Sequence, residues 1–383
     1  MTESVFLMPT KMSRRIAVVL PNLAGGGAER MHLDLAREWL KLGLNVDFVL
    51  LRKEGELLDL VPHGSRIVDL EVPCFRDALW PLMRYIRKAR PDVVLAAMWP
   101  LTVVAVFAGR MAGCGARIVV SDHEQLSISY AGKGAGHRLF LRSSMAVGYR
   151  LAHERIAVSR GVARDLARLS GIPAKRYRVI YNPAAKGEQG LEGRLSSVPE
   201  NAGPFVLSVG KFKAVKNHAL LIEAFAQIAD KVDVNLYILG EGALRPELER
   251  KIAALGLEER VFLPGFQHDT ILWYQQAQLF VLSSNHEGFG NVLVEALEQG
   301  VPVVSTDCPS GPREILENGR YGRLVPVGDA GALAQAMLDE LNHHPDPEVL
   351  KRRAADFRVD RIAREYLRVM FGESRITPGL TGR

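Results

Sequence analysis

Cysteine is scarce. The chain of 383 residues has three, Cys74, Cys114 and Cys308, odd in number and widely scattered. That excludes a disulfide framework and a cysteine-based metal site, and it fits a reducing cytosol. No signal peptide is expected either: Lys11, Arg14 and Arg15 precede "IAVVL", but this apolar run is only five residues before Pro21, and no convincing cleavage site follows. Long hydrophobic runs are nearly absent. "VVLAAMWPLTVVAVFAG", residues 93 to 109, is uncharged over 17 residues, but Pro100 splits it into a run fit for a buried strand and a helix-length segment reaching toward Gly113. With "ARIVVSDHE" as the next strand, this reads as a strand-helix-strand unit and not a membrane span. There is no short internal repeat and no low-complexity tract.

What is present is a soluble composition, 48% hydrophobic and 24% charged, in a chain longer than one core usually grows. Two domains are the expectation. The net charge of +6 favours anionic partners: nucleic acid, nucleotide phosphates or a phospholipid surface. Short β-rich runs alternate with helical patterns: "RIAVVL", a helix from about 28 to 42, "VDFVL", a helix near 77 to 89, "DVVLAA", "RIVVSD" and "RIAVS", ending at "RVIYNP". The alternation restarts at "FVLSVG" and passes through "NLYILGEG", "VFLPGF", "LFVLSS" and "PVVSTD". Between the halves, residues 186 to 204 are polar and rich in Gly, Ser and Pro, which marks a linker. The expected fold class is α/β, with two Rossmann-like doubly wound domains facing across a cleft. Residues 1–185 form the acceptor-side domain and 205–355 the donor-side domain. Residues 356–383 form a C-terminal helical segment packing back on the first.

Three stretches suit chemistry. "PNLAGGGAER" follows a strand and opens a helix, so Gly25 to Gly27 let backbone amides approach a phosphate at a helix start. It has neither the GxGxxG spacing nor the Lys-Ser/Thr of a P-loop, and a plain βα turn is the alternative. "SVGKFKAVKNHALLIEAF" crowds Lys211, Lys213 and Lys216 between Gly210 and a helix that Asn217 could cap. Three ammonium groups at a helix start form an anion site, although such runs also occur as solvated surface. "NHEGFGNVLVEALEQG" places Glu287 before a bare turn at a strand's carboxyl end and Glu295 inside the following helix. Carboxylates there suit sugar or ribose hydroxyls. An acid placed only for the helix dipole does not account for Glu287 lying outside the helix.

Together "SVGKFKAVKN", "YILGEGALRPELE", "VFLPGF", "NHEGFGNVLVEALEQGVPVVSTDCPSGPREIL" and "NGRYGRLVPVGD" resemble the family-4 retaining glycosyltransferases of GT-B fold, whose signature is Glu-x7-Glu. The resemblance is dense over residues 205–335 and thinner before, where the glycine loop, "SDHE" and "VIYNP" match expected positions. It implies that Glu295 holds the ribose of a nucleotide-diphosphate sugar, UDP-linked by expectation, and that Glu287 meets either the transferred sugar's hydroxyls or the developing charge on its reacting face. Main-chain amides of Phe289, Gly290, Asn291 and Val292 would contact sugar and diphosphate, with Gly26, Gly27 and Gly210 close to the donor. Lys211 stands where the family commonly has arginine, which keeps the charge and loses the bidentate fork. Lys216 matches a family lysine, and His123 falls near the donor sugar. With glycosyl transfer comes no cofactor: lysines and amides stabilise the leaving diphosphate, and no Asp-x-Asp dyad points to a metal.

The acceptor implied is a cell-envelope glycan or a lipid-linked sugar in polysaccharide or lipopolysaccharide biosynthesis. The expected location is cytoplasmic, with peripheral association at the inner face of the plasma membrane. Residues 133 to 155 and 77 to 90 are basic and amphipathic, as suits an anionic membrane surface, and equally suits domain helices with a solvated face. A nucleotide-sugar epimerase on the same architecture and a non-catalytic nucleotide-binding protein are the competing readings. No nucleic-acid partner is expected, because no aromatic stacking platform interleaves the basic residues.

Overall fold

The computed structural model describes residues 14–185, 198–199, 202–267, 269–343 and 345–372. Most of the expected linker, residues 186–197, 200 and 201, lies outside them. In the first half, strands β1 (Arg15–Leu20), β2 (Asn45–Leu50), β3 (Arg66–Asp69), β4 (Val93–Ala97), β5 (Arg117–Asp122), β6 (Glu154–Ala157) and β7 (Arg178–Val179) form a seven-stranded sheet in the order β3-β2-β1-β4-β5-β6-β7. The helices between them are α1 (Gly27–Lys41), α2 (Leu79–Ala89), α3 (Leu101–Ala112), α4 (Leu126–Ser129), α5 (Ala135–Leu151) and α6 (Arg160–Ser170). In the second half, β8 (Phe205–Val209), β9 (Asn235–Leu239), β10 (Val261–Gly265), β11 (Leu279–Leu282), β12 (Val303–Thr306) and β13 (Arg323–Val325) form a six-stranded sheet in the order β10-β9-β8-β11-β12-β13. With them run α7 (His218–Ala226), α8 (Arg245–Ala254), α9 (Ile271–Gln276), α10 (Asn291–Glu298), α11 (Pro312–Ile315), α12 (Ala330–Leu341), α13 (Pro347–Ala354) and α14 (Val359–Phe371).

The paired strands run parallel, and the inner strands β1, β2, β4, β5, β8, β9, β11 and β12 are buried along almost their whole length, as in sheets covered on both faces. Val93–Ala97 and Leu101–Ala112 confirm the split at Pro100, and no helix among the described residues is long and apolar enough to cross a membrane. The described residues form two compact units, one within 14–121, 147–155 and 367–372, the other within 122–146 and 156–366. In each sheet the chain moves outward from the first strand in one direction, then returns to add strands on the other side. The order therefore reverses between β1 and β4 and between β8 and β11. Ligands of such sheets bind beyond the strand carboxyl ends at this reversal. The Gly25–Gly27 turn follows β1, the lysine loop follows β8, and the Glu287 turn follows β11.

Two histidines are buried as neutral rings. His32 donates through Nδ1 to the Ala28 carbonyl at 2.7 Å, and burial lowers its pKa to about 4. His218, at the start of α7, is lowered to about 3 by burial and by the nearby Lys216 charge. Below the ordinary value of 6.5 the unfolded chain binds protons that the folded rings refuse, so stability falls as pH falls. The expected loss is about 2 kcal/mol for each ring between pH 7 and pH 5. Thermal unfolding at the two pH values measures it. His218→Gln should lose less of its midpoint on acidification than the parent, and equal losses would refute the assignment.

Candidate functional site

The site in the second unit is assembled from loops that hydrogen bonding ties together. The loop after β8 ends at Asn217, which lies in the left-handed region (φ 47°) and caps α7 by accepting from the Leu220 amide, as the sequence suggested. Its Nδ2 donates to Asn285 Oδ1 at 3.0 Å. The Asn285 amide and side chain donate in turn to the Val215 and Ala214 carbonyls at 2.8 and 3.1 Å, and Ser283 Oγ donates to the Lys216 carbonyl at 2.9 Å. These bonds fix the lysine loop against the turn after β11.

In consequence Lys216 Nζ donates to Glu287 Oε1 at 2.6 Å, and Ser284 Oγ donates to the same oxygen at 2.6 Å. The pair is largely buried, with side chains 22% and 11% exposed. Oε2 of Glu287 has no hydrogen-bond partner among the described residues. A neighbouring thiol, Cys308, is held protonated: burial and the Glu287 charge push its pKa up to about 12. Lys211, by contrast, is exposed, and its side chain has no partner among the described residues.

Beyond Glu287 the turn consists of backbone. Gly290 caps α10 with φ 104°, a conformation that disfavours a side chain, and no side chain caps that helix. The amides of Phe289, Gly290, Asn291 and Val292 donate to no acceptor among the described residues. Helix-start amides beside a lysine are an arrangement that holds anionic oxygen. Eight residues on, Glu295 sits half-buried in α10 and accepts at 3.0 Å from the hydroxyl of Tyr274, a residue of α9 with a fully buried ring.

The turn is gripped by segments of the first half. Gly288 lies so close to the His123 carbonyl that an added Cβ would collide with it, which brings His123 beside the turn. Ser159 Oγ donates to the Gly288 carbonyl at 2.9 Å while also capping α6, and Asn182 Nδ2 donates to Asn291 Oδ1 at 2.8 Å. The Tyr181 ring stacks on Phe289 at 5.4 Å, and both meet Phe357 edge-on. Glu314 accepts from the Arg160 and Gly161 amides at 2.9 and 3.0 Å. Sequence reasoning missed Ser159, Gly161, Tyr274, Ser284, Gly288 and Glu314. Of the supporting segments, "SDHE", which holds His123, and "VIYNP", which holds Tyr181 and Asn182, carried a signal.

Comparison with known proteins decides the family. The model described as Glycosyl transferases group 1 matches residues 195–357, and that described as Glycosyltransferase Family 4 matches residues 25–184. The chain belongs to the family-4 glycosyltransferases. This glycosyltransferase is 29% identical over 379 residues to the N-acetylgalactosamine-N,N'-diacetylbacillosaminyl-diphospho-undecaprenol 4-alpha-N-acetylgalactosaminyltransferase of Campylobacter jejuni, covering 94% of this chain and 100% of that relative. It is 31% identical over 202 residues to the lipopolysaccharide 1,6-galactosyltransferase of Salmonella typhimurium, covering 50% of this chain and 54% of that one. The solved structure of Anabaena HepE with UDP-glucose superposes at a TM-score of 0.75 and 22% identity, covering 94% of this chain and all of that one. A glycosyltransferase from Rickettsia africae gives 0.74 at 20% identity, covering 94% and 98%. These likenesses establish the GT-B fold.

Within the glycosyltransferase, Gly26 and Gly27 belong to the other compact unit. Gly26 is the extended N-cap of α1, and the Glu29 carboxylate of the first turn folds back over it. Gly210 lines the lysine loop, against the stem of Lys216. Among the described residues no group of three or more His, Cys, Asp or Glu is placed to hold a metal ion.

Proposed function

We propose that this glycosyltransferase moves a hexose-type sugar, with retention of configuration, from a UDP-linked donor to a lipid-linked or cell-envelope glycan acceptor. The reading is carried by the Lys216–Glu287 pair lying beside unengaged amides at the reversal point of the second sheet. Glu287 is assigned to the transferred sugar through Oε2, Glu295 to the ribose, and Lys216, Lys211 and the amides of residues 289–292 to the diphosphate. His123, Gly26, Gly27 and Gly210 are assigned to the donor's surroundings. The bond from the anomeric carbon to the diphosphate breaks, with its electron pair leaving on the phosphate oxygen. That oxygen takes the acceptor hydroxyl's proton, and the new glycosidic bond forms on the same face. Fixed positive charge at a leaving group is often the largest catalytic term.

The relative from Campylobacter jejuni acts, by its name, on a diphospho-undecaprenol-linked sugar, and the HepE structure holds UDP-glucose. Both support the acceptor and donor classes proposed, and a lipid-linked acceptor places the reaction at the inner face of the plasma membrane. Calorimetry with UDP-, GDP- and ADP-sugars tests the donor. Binding to a GDP- or ADP-sugar alone would overturn the UDP assignment, and an inverted anomeric signal in the product would overturn retention. Because lysines supply the charge that a metal would supply, turnover is expected to persist in excess EDTA. Loss of turnover that manganese or magnesium restores would refute this.

Tyr274→Phe removes one hydroxyl and leaves the ring in place. With Glu295 no longer oriented, the donor KM should rise about fivefold, the worth of one hydrogen bond, with kcat within about twofold. If Glu295→Ala weakens the donor and Tyr274→Phe does not, the hydroxyl has no part in holding the carboxylate.

A further inference from the structure

Helix α6 supplies several supports of the Glu287 turn, and its buried face carries an acid. Asp165 is fully buried beside Val162, Ala163, Leu166 and Leu169. Burying a carboxylate is costly unless it is paired and hydrogen-bonded, and an alkyl side chain in this place would avoid that cost. Its ion pair is to Arg168, at 3.5 Å and with a side chain 75% exposed, so water screens it. What holds the carboxylate is Ser127 of α4, whose amide donates to Oδ2 at 3.0 Å and whose hydroxyl donates to Oδ1. An amide at a helix start has no acceptor within its own helix, so an acid of α6 caps α4.

The segment held in this way is short. Asp122 ends β5 with its carbonyl accepting from the Val158 amide at 3.3 Å, and Glu124 Oε2 accepts from the Ser129 hydroxyl at 2.7 Å. Gln125 and Leu126 are buried. His123 therefore lies between two anchors, Asp122 on Val158 and Ser127 on Asp165, and its carbonyl is the group that an added Cβ on Gly288 would strike. The other hold on Gly288 is Ser159, the N-cap of the same α6. Ser159 and Asp165 are separated by about 9 Å of helix, at 1.5 Å per residue. Both contacts of Gly288 are thus referenced to one helix, and all of these residues belong to the second compact unit. We propose that Asp165 is a positioning residue of the transfer reaction: through Ser127 it sets the His123 carbonyl against Gly288, and with it the place of Glu287 and of the amides of residues 289–292. The inference rests on the reading of this turn as part of the donor site.

The experiment compares nucleotide release by the full chain from UDP-glucose, or from the GDP- or ADP-sugar that calorimetry selects in its place. Asp165→Ala is made alone and together with Ser127→Ala, the pair leaving neither side chain unsatisfied and so keeping the thermal midpoint close to the parent's. Both variants should lose about tenfold or more in kcat, as for a site displaced by a fraction of an ångström. Affinity for the free nucleotide, which Lys211, Lys216 and Glu295 also hold, should stay within about threefold because only the turn has moved. Asp165→Asn should restore kcat to within about threefold, since its oxygen can accept from the Ser127 amide and its NH2 can donate to the Ser127 hydroxyl. In a Gly288→Ala background, where the turn is already displaced, Asp165→Ala should cost less than about twofold. Parental kcat in the double alanine variant, no recovery with asparagine, or the same cost in both backgrounds would each reduce Asp165 to a cap of α4. A parent that uses none of these donors would overturn the donor reading and this proposal together, whereas an active parent with an equally active Asp165→Ala variant overturns this proposal alone.

Discussion

Glu287→Gln is expected to lower kcat by about a hundredfold or more, the usual cost of one preorganised electrostatic group, and to leave donor affinity within a few-fold. The substitution is isosteric, and the amide oxygen can still accept from Ser284. What disappears is the charge, on a carboxylate that is 11% exposed and paired to Lys216 at 2.6 Å. Lys216 is then left cationic without its counter-ion, which favours an incoming diphosphate and preserves donor binding. Positive charge building on the sugar in the transition state meets no carboxylate, so the loss falls on turnover. Steady-state kinetics with saturating donor measures the split. A variant with parental kcat would remove Glu287 from the reaction.

Gly288→Ala should cost about a hundredfold in kcat/KM for one added methyl group, as expected when a site is displaced by about an ångström. The new Cβ would overlap the His123 carbonyl oxygen, which is main chain and cannot swing away. Either the turn or residue 123 must move, and the Glu287 carboxylate and the amides of residues 289–292 move with the turn. Because β11 and α10 keep their own hydrogen bonds, the midpoint of unfolding should fall by only a few degrees, as for a loss of about 1 kcal/mol. Full activity in Gly288→Ala would show that the turn repacks freely and that its position against His123 is incidental.

Most strands were legible because they are runs of apolar residues bounded by turn residues, and Pro100 divides strand from helix; the short edge strands β3 (Arg66–Asp69) and β13 (Arg323–Val325), with few apolar residues each, were not read as strands. Asn217 was legible as a cap because capping is local: the accepting side chain and the donating Leu220 amide are three residues apart. The Glu287 turn announced itself by lacking bulk. What could not be read was its support. Ser159 reaches Gly288 across 129 positions, and the Arg160 amide reaches Glu314 across 154. No periodicity or spacing encodes such a pair, and a serine before a helix looks the same whether it caps only that helix or also holds a distant carbonyl. Tyr274 was hidden for a related reason: a tyrosine in an apolar helix is ordinary core until its hydroxyl is seen to meet Glu295.

The supports of the Glu287 turn come from residues 123, 159 to 161, and 181 to 182, all made before the second sheet begins at Phe205. A fragment starting near residue 202 would carry every strand of that sheet together with the Lys216–Glu287 pair. It would have no carbonyl for Gly288 to rest on, no amide partner for Asn291 and no helix start for Glu314. During synthesis the ribosome therefore releases these supports before the turn they hold, while Glu314 and Phe357 follow it. Separately expressed halves would recover the turn's shape only by finding each other.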